Sequence, residues 1–141
     1  MLVLKNMFKK PKNVKYKKIK KGKLSRLEFK SNDLVFGDIG LKALESGMIS
    51  ARQIEAARRA ITRKLARSGK VWVKIFPDLP ITKKPVGVRM GKGVGNISHW
   101  VARVRGGTVL FEITKLKNFN TVFFALKAGG NKLPIKTKVF N

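Results

Sequence analysis

The stretch from Ser50 to Gly69 constrains the fold most, because both its helical type and its buried face can be read from the sequence. Ser50 and Gln53 form a capping box, in which each side chain satisfies a backbone N–H of the other residue. Ile49 and Ile54 occupy the two hydrophobic-staple positions around the start of the helix. Glycine is the usual residue just past a helix end. The pattern therefore predicts a helix that begins after Ser50 and ends before Gly69.

This predicted helix has two chemically different faces. Apolar residues recur at helical spacing on one face: Ile54, Ala57, Ile61 and Leu65. Arginines occupy the opposite face: Arg52, Arg59, Arg63 and Arg67. Arginines on a helix surface are often only solvated, and Glu55 is placed to pair with Arg59 four residues further on. Because the arginines have no matching set of acids, we interpret their face as a contact for phosphate and the apolar face as core.

Segments on either side of the helix have shorter patterns. Residues 34–37 read as a short strand, and residues 40–44 as a helical turn or a loop. Residues 71–76 alternate like a strand and are stopped by Pro77, since proline cannot donate to a strand ladder. These patterns predict strands that must find partners elsewhere in the chain.

The second half of the chain predicts a hairpin, a helix and a final strand. Residues 100–105 and 108–113 flank Gly106-Gly107, a two-residue connection suited to a tight hairpin. A second helix, ending near Gly129-Gly130, is predicted from apolar residues at i, i+3, i+4 and i+7: Phe119, Val122, Phe123 and Leu126. Residues 133–139 are strand-like. Because helices and strands do not alternate regularly, the predicted fold class is α+β, with a mostly antiparallel sheet and two packed helices.

Residues 85–96 combine alternating glycines with cations and have no apolar periodicity, so they are predicted to form a long loop outside the core. Pro80 and Pro85 should keep the preceding stretch out of regular structure. Exposed N–H groups of a glycine loop form concave anion sites, to which Arg89 and Lys92 add charge. The alternatives are a solvated surface loop and a nucleotide-binding enzyme.

The nucleotide-binding alternative fits the spacing poorly. Gly91, Gly93 and Gly95 give G-x-G-x-G, with Asn96 where a dinucleotide fingerprint needs its third glycine. A phosphate-binding P-loop fails as well, because Gly93 stands where Ser or Thr would bind magnesium. The sequence therefore favours a loop that binds an external anion over a loop that binds a nucleotide cofactor.

The charge of the chain indicates the kind of partner. With 33 Lys+Arg against 7 Asp+Glu, the formal net charge is +26, which repels itself unless a polyanion neutralises it. Nucleic acid is the expected partner. An anionic membrane is the competitor, but the sequence has no lipidation motif and no helix with a large apolar face. No apolar run approaches the roughly 20 residues that a membrane span needs.

Basic residues dominate the first 30 positions, with too few apolar residues between them to form a buried face. We predict an extension (1–30) that is disordered alone and ordered by RNA, followed by a single α+β domain (31–141) with a protruding loop (80–98). The alternative is a purely solvated tail. The phosphate-binding candidates in the extension are lysines: Lys9, Lys10, Lys12, Lys15, Lys17, Lys18, Lys20, Lys21 and Lys23.

Metal and cofactor chemistry is not expected. The chain has no cysteine, and a single histidine, His99, cannot build a multi-histidine metal site. His99 also has no nearby acid to orient it, so we expect a structural or hydrogen-bonding role. No cofactor and no catalytic residue are predicted.

Four runs resemble the bacterial and organellar L-sixteen family of large-subunit ribosomal proteins: residues 50–63, 69–82, 88–93 and 132–137. The resemblance covers roughly residues 15–140. It implies an α+β domain on ribosomal RNA at the aminoacyl-tRNA site, with the extension and the glycine loop reaching toward the peptidyl-transferase centre. It also implies a structural role rather than an enzyme, with neighbouring ribosomal proteins as further partners and neither a membrane nor a homo-oligomer.

The resemblance completes the set of candidate site residues. We add to the rRNA contacts the lysines near the loop and the C-terminus: Lys83, Lys84, Lys92, Lys132 and Lys136. The loop assigned to tRNA and the peptidyl-transferase centre consists of Arg89, Met90, Gly91, Lys92 and Gly93. The alternative function is another RNA-binding or RNA-chaperone protein outside the ribosome.

Some positions depart from the family pattern. Lys20 and Lys23 stand where bacterial members usually have His and Arg, which keeps phosphate contact but loses planar stacking. Gly129-Gly130 replaces helix-forming alanines, so a shorter second helix is expected. Residues 100–104 and the lysine-rich composition look mitochondrial, and the first residues lack an Arg- and Ser-rich presequence, so we expect a protein encoded in the organelle. A plastid or an AT-rich bacterium is the alternative origin.

Overall fold

The computed structural model describes residue 11 and residues 13–66, 68–114 and 118–141. In these residues seven strands and two helices follow one another. Their order is β1 (Ile39–Ala43), β2 (Gly47–Ser50), α1 (Ala51–Lys64), β3 (Val71–Val73), β4 (Leu79–Lys83), β5 (Asn96–Val104), β6 (Val109–Ile113), α2 (Phe119–Gly130) and β7 (Thr137–Phe140).

The strands form two antiparallel sheets. One has the order β3-β6-β1-β7 and the other the order β2-β5-β4. Helices α1 and α2 pack on each other, and a single hydrophobic core joins them to both sheets through residues such as Leu41, Ile61, Val104 and Leu126. The predicted α+β class with mostly antiparallel sheet and two packed helices is confirmed.

The predicted hairpin at Gly106-Gly107 is wrong, because β5 and β6 lie in different sheets. Gly107 has a φ of 98°, and its N–H donates to the carbonyl oxygen of Ala43 at 2.8 Å. The N–H of Ala43 in turn donates to the carbonyl oxygen of Thr108 at 2.9 Å. These bonds direct β6 alongside β1, so the two glycines carry the chain from one sheet to the other.

The predictions for residues 34–37 and 40–44 are also wrong. Residues 34–37 form no strand, and β1 occupies Ile39–Ala43, between β6 and β7. A Cβ at Gly40 would lie 2.6 Å from the Leu34 side chain and 2.9 Å from the Phe140 ring. Gly40 therefore belongs to a tightly covered strand interior, where the sequence suggested a turn.

A buried carboxylate explains why residues 34–37 are not a strand. Oε2 of Glu112, on β6, accepts the backbone N–H groups of Val35, Phe36 and Gly37 at 3.3, 2.7 and 2.9 Å. Lys74 Nζ lies 3.3 Å from the other oxygen, Oε1. Burial raises the pKa of Glu112, but the hydrogen bonds from Phe36 and Gly37, with Lys74, outweigh it, and the pKa lies below its ordinary value. The backbone N–H groups of this segment donate to a carboxylate, so they do not donate to a neighbouring strand.

Helix α1 starts as predicted and ends earlier. Ser50 is the N-cap, and both halves of the capping box with Gln53 are present. The helix ends at Lys64, followed by Leu65 as C-cap and by Ala66 in the left-handed region at a φ of 48°. The prediction that Gly69 provides the stop is therefore wrong, because Ala66 already takes the left-handed conformation.

Helix α2 packs through only part of the predicted face, because Val122 and Leu126 are buried as predicted and the two phenylalanines are not. Its buried residues are Val122, Ala125, Leu126, Gly129 and Gly130. Phe119 and Phe123 were assigned to the packed face, but they are exposed and stack on each other with ring centroids 6.4 Å apart. A Cβ at Gly129 would lie 2.5 Å from the Ile61 side chain, so α1 and α2 approach closely because this position is a glycine.

Three strand boundaries also differ from the predictions. β3 covers only Val71–Val73, and β7 begins at Thr137. β4 contains Pro80, which the sequence analysis placed outside regular structure. Pro80 is tolerated because β4 pairs only with β5 and is an edge strand of its sheet. The protruding loop is accordingly shorter than predicted and spans residues 84–95.

Candidate nucleic-acid interface

The two faces of α1 are separated as predicted. Ile54, Ala57, Ile61 and Leu65 are buried in the core, whereas the arginines that the structure describes on the opposite face are exposed: Arg52, Arg59 and Arg63. These arginines line a surface groove of about 410 Å³ together with Lys132 from the α2–β7 connection. The groove, which we call the arginine groove, brings together four of the predicted rRNA-binding residues.

Glu55 lies beneath the arginine groove and orients two guanidinium groups. Its Oε1 accepts Arg59 Nε–H at 2.7 Å and Arg58 Nη2–H at 2.9 Å, and its Oε2 accepts Arg58 Nε–H at 3.0 Å. The hydrogen bonds from Arg58 are the largest influence on the pKa of Glu55 and, despite burial and with help from Arg59, keep it below its ordinary value. The sequence predicted the pair of Glu55 with Arg59 and missed Arg58.

The pairing with Glu55 leaves Arg59 available for a ligand. Only Nε of Arg59 is engaged, and its side chain is 63% exposed. Both terminal nitrogens of Arg59 are therefore without a protein partner among the described residues, and a guanidinium binds phosphate best through such a fork. The solvated-face and phosphate-contact interpretations are thus compatible, because Glu55 holds the stem while the tip stays free.

A second groove continues from the arginine groove toward the base of the protruding loop. It has a volume of about 480 Å³ and is lined by the start of α1, including Arg52, and by Ser98, His99 and Trp100 on β5. His99 is exposed, with Nδ1 3.3 Å from Ser98 Oγ, as expected for a hydrogen-bonding histidine. Arg52 lines both grooves and thereby connects the helix to the base of the loop.

The loop at residues 84–95 projects from β4 and β5. Gly87, Gly91 and Gly93 have φ values of 88°, 92° and 78°, and apart from their chain neighbours no atom of the described residues lies within 4 Å of where their Cβ atoms would be. Met90 is 91% exposed. Arg89 and Lys92 are also exposed and have no ion-pair partner in the part of the chain that is described. The loop therefore presents two cations and a flexible apolar side chain away from the scaffold.

The remaining predicted site residues lie at several places on the surface. The described lysines of the extension are all exposed: Lys15, Lys17, Lys18, Lys20, Lys21 and Lys23. Lys83 is exposed at the end of β4 and Lys84 is half-buried, whereas Lys136 Nζ lies 3.0 Å from Glu45 Oε1 and is partly neutralised. Four predicted residues lie outside the described residues: Lys9, Lys10, Lys12 and Arg67.

Sequence reasoning missed a cluster of cations at the opposite end of β5. Arg103 and Arg105 at its C-terminal end lie with Lys74 around a cleft that the extension also lines. In the sequence Arg103 and Arg105 alternate with Ala102 and Val104, and we interpreted this only as a strand. The alternation itself was the available signal, since it places both arginines on the face away from the core.

The described part of the chain contains neither a cluster of metal ligands nor a membrane-spanning helix. Within residues 11, 13–66, 68–114 and 118–141, no group of three or more metal-ligating side chains comes together. Over the same ranges no helix is both long and apolar enough to span a bilayer.

Known proteins that are similar to this chain are ribosomal proteins of one family. Residues 11–140 match the family described as ribosomal protein L16p/L10e. The chain is 52% identical over 129 residues to large ribosomal subunit protein uL16 of Hyphomonas neptunium, covering 92% of this chain and 93% of the relative. The uL16 protein of Acidiphilium cryptum is 51% identical over 129 residues, with 92% and 93% covered. That of Borreliella burgdorferi is 50% identical over 127 residues, with 90% and 91% covered.

Proposed function

We propose that this chain binds the rRNA of the large ribosomal subunit. It belongs to the ribosomal protein L16p/L10e family and is therefore a structural constituent of that subunit and not an enzyme. The arginine groove is the observation that carries this proposal. Its three arginines stand on a helix whose other face is fully buried, so their backbone positions are fixed without any ligand. A prepositioned set of cations loses little conformational freedom when it binds phosphate.

The lysines of the extension supply the second part of the proposed rRNA contact. They are exposed, and no carboxylate pairs with the described ones: Lys15, Lys17, Lys18, Lys20, Lys21 and Lys23. Each cation that meets a phosphate releases a counterion, so affinity for rRNA should fall steeply with salt. The extension thus adds affinity to the orientation that the arginine groove provides.

We further propose that the loop at residues 84–95 helps to position aminoacyl-tRNA near the peptidyl-transferase centre. Support comes from the resemblance of residues 88–93 to the family motif and from the exposure of Arg89 and Met90 at the tip. Arg89 can donate to phosphate through two nitrogens, and Met90 can pack on an irregular RNA surface. The neighbouring ribosomal proteins are the remaining proposed partners.

The proposed location is the mitochondrial ribosome, on the basis of residues 100–104 and the lysine-rich composition. The named relatives come from bacteria, so the alternative is a bacterial ribosome. Either location leaves the proposed contacts with rRNA and tRNA unchanged.

The rRNA proposal can be tested with a double substitution, Arg59→Gln with Arg63→Gln, measured by binding to large-subunit rRNA over a range of salt concentrations. We expect weaker binding and a log–log salt slope that is smaller by roughly 0.7–0.9 for each lost contact. The melting temperature should be nearly unchanged, because both residues lie opposite the buried face and Arg58 still pairs with Glu55.

A matched double substitution, Lys127→Gln with Lys138→Gln, removes the same charge from exposed positions outside the proposed contacts. If it weakens binding equally, the arginine groove has no special role and general charge alone explains the affinity. Co-sedimentation with large subunits at high salt separates a subunit component from an RNA chaperone that acts outside the ribosome, since the chaperone would be released.

A further inference from the structure

The cleft at the C-terminal end of β5 is separate from the arginine groove and the loop. It has a volume of about 370 Å³ and lies between the basic extension, β5 and the connection from β3 to β4. That volume falls within the range of about 300–1,000 Å³ typical of pockets that hold small ligands. Five cations line it: Lys21, Lys23, Lys74, Arg103 and Arg105.

Two of these cations are neutralised and three are free. Lys74 Nζ lies 3.3 Å from the buried Glu112, and Arg105 Nη1 lies 3.6 Å from Glu28 Oε2. The other three have no carboxylate partner within the described residues: Lys21, Lys23 and Arg103. The cleft therefore has an excess of positive charge that is available to an anion.

The walls of the cleft are fixed by backbone hydrogen bonds. The N–H of Glu28 donates to the carbonyl oxygen of Gly106 at 2.9 Å, which joins the extension to the turn after β5. The N–H of Lys74 donates to the carbonyl oxygen of Leu110 at 3.0 Å, which joins the opposite wall to β6. The walls at Glu28 and Lys74 are thus formed before any ligand arrives, as a specific site requires, and Lys21 and Lys23 of the extension line the remaining side.

The other lining groups indicate the class of anion. The ring of Phe76 is 46% exposed and offers a surface on which a base can stack. Glu28 and Asp78 also line the cleft, and their oxygens can accept hydrogen bonds from the amino groups of a base, which the carboxylates of an acidic peptide do not offer. A paired base is held inside its helix and cannot enter a concave cleft, whereas an unpaired one can.

From this combination we propose that the cleft binds one unpaired nucleotide of rRNA. Its phosphate meets Arg103 and the lysines of the extension, and its base stacks on Phe76. This inference rests on the proposed binding of rRNA, and it adds a contact that recognises a bulged or looped nucleotide. The arginine groove has no aromatic residue among its described lining residues and so offers no aromatic ring for stacking.

The test compares two RNA duplexes that differ only in a single bulged nucleotide, each bound to the full-length protein at the same salt concentration. The ratio of the two affinities removes most of the contribution of the phosphate backbone, which is nearly equal in both. We expect the protein to prefer the bulged duplex. Phe76→Leu and Arg103→Gln should each reduce that preference about fivefold or more, the effect of losing a stacked base or its phosphate contact.

Two substitutions on α2 serve as matched controls. Phe124→Leu changes another exposed phenylalanine, and Lys127→Gln removes another exposed charge, both outside the cleft. Both should leave the preference unchanged. Circular dichroism of all four variants checks that the fold is retained, and Phe76→Tyr, which keeps a stacking ring, should restore the preference.

Failure of the nucleotide site and failure of the proposed rRNA binding would give different results. Equal affinity of the protein for both duplexes, or equal effects of Phe76→Leu and Phe124→Leu, overturns the nucleotide site and leaves the general binding of rRNA intact. Failure to bind either duplex or rRNA overturns the proposed function itself. If a glutamate-rich peptide binds the protein and Arg103→Gln abolishes that binding, the cleft belongs to an acidic protein partner instead.

Discussion

The arginine groove and the loop at residues 84–95 both present cations to solvent, but they hold them in opposite ways. In the groove, a capped helix with a buried face fixes the backbone of the arginines, and Glu55 also holds the guanidinium of Arg59. In the loop, three glycines with positive φ carry Arg89 away from the domain, and nothing packs against these glycines. The position of the groove's arginines therefore depends on the packing of the opposite helix face, whereas the loop holds Arg89 without packing on the domain.

The largest expected difference concerns core packing beneath the groove. Ile61→Ala should lower the free energy of unfolding by about 2–5 kcal/mol, since Ile61 is fully buried between the helices. Met90→Ala, at the tip of the loop, should change it by less than about 0.5 kcal/mol. Urea denaturation of both variants measures the two values. Equal losses would mean that the loop packs on the domain and that the contrast is false.

Substitution of a glycine should also destabilise the fold more at the interface of the helices than in the loop. Gly129→Val should destabilise the fold by about 1–3 kcal/mol, because a side chain there would overlap Ile61 across the interface of the two helices. Gly91→Val meets no other atom of the described chain, so its cost comes only from the strain of valine at a φ of 92°, and we expect a smaller loss of about 1 kcal/mol because the solvated loop can relax. Thermal denaturation of the pair is the measurement. A loss for Gly91→Val as large as that for Gly129→Val would show that the loop conformation is needed for folding.

A smaller effect is expected from Arg89, and only on function. Arg89→Ala should leave incorporation into the large subunit intact and slow accommodation of aminoacyl-tRNA by about tenfold, the effect of losing one hydrogen bond of about 1.5 kcal/mol to a charged group. Subunits reconstituted with this variant are scored separately for protein occupancy and for accommodation rate. Full occupancy with an unchanged rate would return the loop to a purely structural role.

The smallest effect concerns pH. The folded pKa of Glu55 lies below its ordinary value of 4.5, so its stabilising contribution is present above that value and is lost as the pH falls through the folded pKa. Glu55→Gln should therefore reduce the fall in stability below about pH 4.5, whereas Met90→Ala should not, because residues 84–95 contain no acid. Denaturation at several pH values gives both curves. Identical acid profiles for the protein and Glu55→Gln would contradict this account.

The parts of the fold that follow from local signals were predictable. The start of α1 and its two faces depend on neighbours within a few positions, such as the capping box of Ser50 and Gln53, and both predictions are confirmed. Helix α2 was located and the burial of Val122 and Leu126 was predicted, but the rest of its packed face was not, because Gly129 approaches α1 while the larger phenylalanines remain outside. Apolar spacing alone cannot distinguish a buried glycine from an exposed phenylalanine.

The parts that depend on distant partners were not predictable. The turn at Gly106-Gly107 has the composition of a hairpin, and only its hydrogen bonds to Ala43 reveal that it joins two sheets. The same limit applies to the candidate sites. The arginine groove could be predicted from one helix, but the cleft around Arg103 could not, because its lining comes from three separate segments.

The three N–H groups held by Glu112 have a consequence for how the protein assembles. With Glu28 bonded to Gly106, they anchor the root of the extension to the domain, so the extension is a tether with a fixed origin. Between Lys15 and Glu28 the chain can reach at most roughly 45 Å. Once the domain has docked on rRNA, these lysines search only that small volume, where the effective concentration of phosphate is in the millimolar range or above. Capture by the extension is then an intramolecular step, whose rate does not depend on how much free protein is present.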